Sequence, residues 1–205
     1  MPKSKELLID LLRHGEVKGG SRFRGRTDDT LTDHGWSQLN SATKGRPAWG
    51  EIISSPAKRC AHFAEHLAKT HNTPCRQAEW LWEIDFGDWE GATATELATT
   101  DAEQLNAFWQ DPLNQTPPGG EPFQQFQQRV LAGWHEVIQQ TTKSGLLISH
   151  GGPIRIILAK ALGMPPQNLM RLEVPHASLS RVRISTDTAG NFYSSVVGLN
   201  MSRYD

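Results

Sequence analysis

Leu7-Leu8-Ile9-Asp10-Leu11-Leu12-Arg13-His14-Gly15-Glu16 reads as a buried strand that stops at a polar turn. The pattern recurs in Gly145-Leu146-Leu147-Ile148-Ser149-His150-Gly151-Gly152. Neither run alternates apolar with polar residues, as expected of strands covered by helices on both faces. Each ends on a histidine followed by glycine, which lets backbone approach a ligand closely. In open α/β sheets, ligands bind in the crevice beyond the strand C-termini. His14 and His150 are therefore expected to share one pocket.

Helical and strand patterns alternate around these two runs. Thr32 is the expected N-cap of a helix running through Gly35, Gln38 and Leu39. Glu51–Ser54 is a second strand. Pro56 to about Thr70 is a helix with proline in its first turn. A short strand is expected near residues 76–78. Phe123, Phe126, Val130, Trp134, Val137 and Ile138 recur at helical spacing. Pro153–Leu162 is a helix with Gly163 as its C-cap, and residues 172–174, 178–185 and 192–197 read as late strands. Residues 80–122 are rich in Trp, Gln, Ala and Thr with little strand signal. They read as a small helical insertion over one edge. The pattern predicts a three-layer α/β sandwich, with a mostly parallel central sheet flanked by helices. Residues 1–205 are expected to form a single domain.

The 205 residues carry 21 Lys+Arg against 22 Asp+Glu, a net charge of −1. The chain lacks the basic excess of a nucleic-acid partner and the composition of a disordered one. Cys60 and Cys75 make no disulfide framework. The start of the chain has too short an apolar run for a secretory signal, and no stretch is long enough to cross a membrane. A cytoplasmic protein is expected. The sequence does not fix oligomeric state; a homodimer is the assembly considered.

The charges are segregated. Arg13, Lys18, Arg22, Arg24 and Arg26 face Glu16 alone, a local balance of about +4. Arg59 lies just beyond Ser54-Ser55, near helix N-terminal amides that favour anions. Arginine's planar fork suits phosphate oxygens. The acids concentrate in Glu79-Trp-Leu-Trp-Glu83-Ile-Asp85-Phe-Gly-Asp88-Trp-Glu90-Gly91, which has no Lys or Arg. Most of these five carboxylates should be surface groups, and one could donate a proton.

Of the eight histidines, His62 and His66 stand four apart on a predicted helix. No further ligand pair accompanies them, so they read as ordinary helix residues and no metal site is expected. His34, His71 and His135 read as surface residues. His176, before a late strand, is a candidate for the pocket rim. Trp80, Trp82, Trp89 and Trp109 cluster in the insertion. Core packing accounts for most of them; one or two, or Phe23, could stack on a flat base.

Four motifs in order carry a resemblance: Leu12-Arg13-His14-Gly15-Glu16, Ser54-Ser55-Pro56-Ala57-Lys58-Arg59, Glu83 through Gly91, and Ser149-His150-Gly151-Gly152. The chain resembles the histidine phosphatase superfamily, the phosphoglycerate-mutase-like proteins. Within it, Phe23 through Thr32 and Phe86-Gly87-Asp88-Trp89-Glu90 look most like the α-ribazole-5′-phosphate phosphatase branch. The resemblance implies a phosphoglycerate-mutase-like fold with the insertion over the site. It implies a metal-independent phosphomonoesterase with no cofactor and a small-molecule phosphate ester as substrate.

By this resemblance His14 is the nucleophile and forms a phosphohistidine. Neighbouring arginines should lower its pKa and keep a ring nitrogen free. Arg13, Arg59 and His150 bind the phosphoryl oxygens, and a phosphate would favour protonated His150. Glu83 is the general acid, then the base; a carboxyl beside a phosphate favours its protonated form. Substrate-binding candidates are Arg24, Thr27, Ser21, Gly151 and His176. Many members carry an asparagine a few residues after Arg-His-Gly-Glu. Here that stretch is Val17-Lys18-Gly19-Gly20-Ser21-Arg22, so Ser21 or Arg22 is the substitute considered. Pro122 also stands where serine is common.

Two same-chemistry alternatives are a broad small-molecule phosphatase and a phosphoglycerate mutase. The mutases extend the Glu83 region with a basic stretch, which residues 79–91 lack. A silent phospho-ligand-binding protein would lack one of His14, Arg13, Arg59 or His150, and all four are present.

Overall fold

The computed structural model describes residues 6–187 and 189–201. Among them, six strands form one sheet in the order β3-β2-β4-β1-β5-β6. The strands are β1 (Glu6–Arg13), β2 (Glu51–Ser54), β3 (Cys75–Gln77), β4 (Gly145–Ser149), β5 (Leu179–Thr186) and β6 (Phe192–Met201). The first four run parallel, and β5 and β6 add an antiparallel edge. Six helices accompany them: α1 (Asp33–Thr43), α2 (Lys58–His71), α3 (Ala94–Thr100), α4 (Ala102–Gln110), α5 (Phe123–Gln140) and α6 (Gly151–Leu162).

The two faces of the sheet bury separate apolar sets, hence the absence of alternation in β1 and β4. Leu7, Ile9, Leu11 and Leu147 pack with Phe126, Val130 and Trp134 of α5 and Ile154, Ile157 and Leu158 of α6. Leu12, Leu146 and Ile148 pack on the other face with Leu39 of α1 and Phe63, Ala64 and Leu67 of α2. This is the expected three-layer sandwich. Thr32 caps α1, its hydroxyl accepting from Gly35 N at 2.9 Å, and Gly163 closes α6 in the left-handed region.

β6 runs to Met201, four residues past its expected end, and β3 lies one residue earlier than expected; three further local expectations change. Residues 172–174 are not a strand, because their carbonyls serve side chains: Val174 O accepts from Arg13 and Leu172 O from Arg155. Pro56 precedes α2 rather than entering its first turn; Ala57 is the N-cap. Helix α6 begins two residues earlier than expected, at Gly151, with His150 as its N-cap.

The insertion holds α3 and α4 and two short 3₁₀ turns, Glu79–Leu81 and Gly87–Trp89. Its own small core joins Trp89, Leu97, Leu105 and Phe108 to Phe23 of the 14–32 loop. Trp89 also donates to Asp101 at 2.8 Å.

One charge interrupts the apolar run of β1. Asp10 is 1% exposed. It takes a two-pronged bond from Arg181 at 2.7 and 2.9 Å and a third from Trp49 Nε1 at 2.8 Å. Removing one partner of a buried pair leaves the other uncompensated, at a cost of about 3–5 kcal/mol. Asp10→Ala is therefore expected to lower the free energy of chemical unfolding by about that amount. A loss below about 1 kcal/mol would place the pair in the class of solvated surface bridges.

Candidate active site

The site starts from strand pairing. β1 pairs parallel with β4 so that Arg13 lies opposite Ser149. His14 N continues the ladder by donating to Ser149 O at 2.9 Å. On the other side of β4, Ser55 N donates to Ile148 O at 2.9 Å. Three strand ends therefore finish level. The rings of His14 and His150 lie edge to face with centroids 5.2 Å apart.

His14 is buried, and its Nδ1 lies 2.8 Å from Gly15 O. A carbonyl only accepts, so Nδ1 carries the proton and Nε2 keeps its lone pair. Burial and the Arg59 and Arg13 charges push its pKa well below the usual histidine value, against the opposing Gly15 bond. This is the direction that the arginine cluster predicts.

His150 is engaged on both ring nitrogens. Burial lowers its pKa well below the usual value, as do Arg59, His14, Arg13 and Arg129. Arg59 Nε donates to its Nδ1 at 3.2 Å, so its Nε2–H donates to Ser55 Oγ at 2.8 Å. The protein's own groups thus hold this ring neutral and engage both nitrogens. His176 reaches the pocket. Its Nε2 accepts from Arg13 at 3.1 Å, and its ring lies 5.3 Å from that of His14. Burial and Arg13 bring its pKa down to about 4.

A cavity of about 280 Å³ is lined by Arg13, His14, Ser21, Arg24, Glu83 and His176, with Arg22, Phe23, Phe86, Ala94 and Trp109. Of the five carboxylates in 79–91, Glu83 alone lines it. Arg129 of α5 fixes that turn, donating to the carbonyls of Trp80, Trp82 and Glu83 at 2.9–3.0 Å while paired with Glu121. Ser149 Oγ adds a bond to Leu81 O at 2.7 Å. The Glu83 carboxylate accepts from Gly152 N at 3.0 Å. A Cβ at Gly152 would collide with that carboxylate and with Phe126, so glycine is needed there. Gly151 is buried under Arg155, whose guanidinium lies beside Arg13 and lowers that residue's pKa by its charge, after burial and against Glu83.

The basic loop is less free than its composition suggests. Arg24 bonds Asp29 at 2.7 Å and the carbonyls of Lys18 and Gly20. Arg22 bonds Gly19 O and Gly91 O. Arg26 pairs with Asp85 and lies over the Trp82 ring. Arg59 does not line the cavity; it donates to Thr27 O at 2.7 Å and Gly25 O at 2.9 Å besides His150. Thr27 bonds Glu90 through both its amide and its hydroxyl. Ser21 is exposed at the rim.

Glu90, one of the five acids of residues 79–91, is the clamp of this loop. It accepts from the amides of Gly25, Arg26, Thr27 and Phe86 and from the Thr27 hydroxyl. Burial raises its pKa, but these bonds outweigh burial and lower it. The pairing of Gly25 with Glu90 across 65 positions has no local signature. Arg129 and Arg155 escaped sequence reading for the same reason. His62 and His66 are exposed on α2, and His66 packs edge-on against Trp36. No group of three or more His, Cys, Asp or Glu suited to a metal occurs among the described residues, and no helix there is long and apolar enough to cross a membrane.

The model of the histidine phosphatase superfamily (branch 1) matches residues 9–191. The chain belongs to the histidine phosphatase superfamily. This histidine phosphatase chain is 29% identical over 183 residues to the adenosylcobalamin/α-ribazole phosphatase of Escherichia coli, covering 85% of the chain and 89% of that protein. It is 33% identical over 172 residues to the glucosyl-3-phosphoglycerate phosphatase of Mycolicibacterium vanbaalenii, covering 77% and 75%. It is 34% identical over 200 residues to a bifunctional protein of Mycobacterium tuberculosis, where it covers 95% of itself and spans about half, 54%, of that protein. The solved α-ribazole phosphatase of Shigella flexneri superposes with a TM-score of 0.84 at 26% identity, covering 95% and 96%. The phosphatase names of these relatives agree with the expected class of phosphoric monoester hydrolase.

Two outcomes follow from this geometry. His14 and His150 stay neutral in the folded chain while their unfolded counterparts protonate below about pH 6.5. The unfolded state then binds more protons, so stability is full above that pH and falls as pH drops, by up to about 1.4 kcal/mol per unit per histidine. Urea titrations between pH 7 and 5 should show this slope, and replacing His150 with Gln should reduce it. A flat profile would mean that the rings protonate freely in the fold. Separately, Glu90→Ala should speed amide hydrogen exchange at Gly25, Arg26 and Thr27 while leaving β1 and β4 protected; unchanged exchange at the three amides would refute the clamp.

Proposed function

We propose that this chain hydrolyses a phosphate monoester through a phosphohistidine on His14, without metal or cofactor, and that its substrate is α-ribazole 5′-phosphate. The hydrogen bond from His14 Nδ1 to Gly15 O carries the chemical part of this reading. It leaves a neutral imidazole with one free nitrogen beside Arg13, in a cavity that Glu83 also lines.

His14 Nε2 attacks phosphorus. The new P–N bond forms as the ester P–O bond breaks, and the protonated Glu83 carboxyl gives its proton to the departing alkoxide. Glu83, now a carboxylate, takes a proton from water as the water oxygen attacks phosphorus. The P–N bond breaks, inorganic phosphate leaves and His14 returns neutral. Arg13 faces the charge developing on the equatorial oxygens. Arg155 adds a second cation beside it. Arg59 and His150 would have to release Thr27 O, Gly25 O and Ser55 Oγ to reach the phosphoryl group; with those bonds made they support His14 from behind. Arg24, Thr27 and Ser21 shape the loop at the rim, Gly151 opens α6 beside it, and His176 orients Arg13.

Similarity over most of both chains to the Escherichia coli adenosylcobalamin/α-ribazole phosphatase supports α-ribazole 5′-phosphate, whose hydrolysis releases α-ribazole in cobalamin nucleotide-loop assembly. A second reading, glucosyl-3-phosphoglycerate, is favoured by the higher identity, 33%, of that relative. Purified protein, with and without EDTA, should be assayed on both compounds, on 3-phosphoglycerate and on a simple sugar phosphate. The expected result is EDTA-insensitive turnover with kcat/KM for α-ribazole 5′-phosphate at least about tenfold above the others. Preference for glucosyl-3-phosphoglycerate would move the assignment to the second reading. His14→Ala should abolish turnover, and Glu83→Gln should lower kcat by about 10²–10⁴-fold. Activity surviving in His14→Ala would remove the phosphohistidine.

A further inference from the structure

A second cavity, of about 360 Å³, adjoins the His14 pocket. Phe23, Glu83, Phe86 and Trp109 line both. Glu83, the proposed proton donor, thus stands between a cationic chamber and an apolar one. The leaving oxygen of an ester held at His14 must lie within reach of Glu83. The group attached to that oxygen is then directed into the second cavity.

The lining of that cavity defines what it accepts. Phe108, Phe123, Phe126, Ile156 and Leu169 form its wall. Trp109 and Met170 stand on it at 53% and 61% exposure, large apolar side chains kept facing water beside an open cavity. Aromatic faces and a methionine suit a flat apolar ring, the thioether adapting to its shape. Arg155 also lines the cavity, but its Nε bonds Leu172 O and its guanidinium lies beside Arg13, at the phosphate end. Hydroxyls of a polyol placed against the aromatic wall would lose water without gaining partners. Gln110, Asp111 and Gln167 supply a few polar contacts for the edge of a ring.

We infer that this cavity is the leaving-group subsite, that it takes an alcohol carrying a flat apolar ring, and that Trp109 and Met170 set this selectivity. The inference rests on the proposed reaction at His14. It deepens that proposal by making the apolar ring, rather than the sugar, the recognised part of the ester.

Two alkyl esters of similar intrinsic reactivity test it: 2-(1-naphthyl)ethyl phosphate and propyl phosphate. The wild-type protein should prefer the naphthyl ester in kcat/KM by at least about tenfold. That ratio should fall toward one in Trp109→Ala and in Met170→Ser. Both side chains are more than half exposed, so the fold is not at stake. Binding of 2-(1-naphthyl)ethanol, followed by calorimetry in His14→Ala and in the His14→Ala/Trp109→Ala double variant, gives a readout free of turnover. The alcohol should bind the first and not the second. Equal turnover of the two esters would overturn the subsite and leave the phosphatase standing. If neither ester is turned over while the alcohol binds in a Trp109-dependent manner, the subsite stands and the phosphohistidine falls.

Discussion

The parallel pairing of β1 with β4 is the constraint on which the rest of the site depends. It sets Arg13 opposite Ser149 and so ends both strands at one level. Each strand then turns on a histidine-glycine step, and the two imidazoles meet at 5.2 Å. A shift of one residue would turn every side chain of β1 to the opposite face. Leu7, Ile9 and Leu11 would leave the α5–α6 core, and His14 would leave its partner. The two apolar cores on either side of the sheet therefore fix register, and register fixes the site.

Electrostatics then give the paired rings their chemistry. Arg59, buried, and Arg13, half-buried, flank two imidazoles, and the burial of the rings with those charges keeps both neutral. The guanidinium groups are made tolerable by backbone carbonyls: Val174 O for Arg13, and Thr27 O and Gly25 O for Arg59. Glu90 in turn collects the amides of that same loop. A net charge of −1 thus conceals a concentrated cationic site beneath an acidic insertion. The acids are not equivalent: Glu83 enters the cavity, Glu90 holds a loop and Asp88 stays exposed.

Much of this was legible in the sequence, because local signals encode it. Continuous apolar runs reported doubly covered strands, and the histidine-glycine steps reported their ends. Thr32 and Gly163 marked helix ends through their own backbone preferences. What was not legible is long-range. Arg129 reaches the carbonyls around Glu83 from nearly fifty residues away, and Asp10 meets Arg181 across 171. Such side-chain bonds leave no periodicity. The same cause misled the reading of residues 172–174. Their extended apolar pattern resembled a strand, but arginines took carbonyls that a ladder would have used. It also explains the arginine-rich loop, whose charges are largely committed to its own carbonyls and carboxylates.

The central claim is that His14 is a neutral imidazole with its proton on Nδ1 and its lone pair on Nε2. Nitrogen-15 NMR of the histidine rings, titrated from pH 8 to 5, reads both properties directly. The predicted result is an Nδ1–H tautomer for His14 at neutral pH, with a protonation midpoint well below the ordinary histidine value. An Nε2–H tautomer, or a ring already cationic at pH 6.5, would contradict the account.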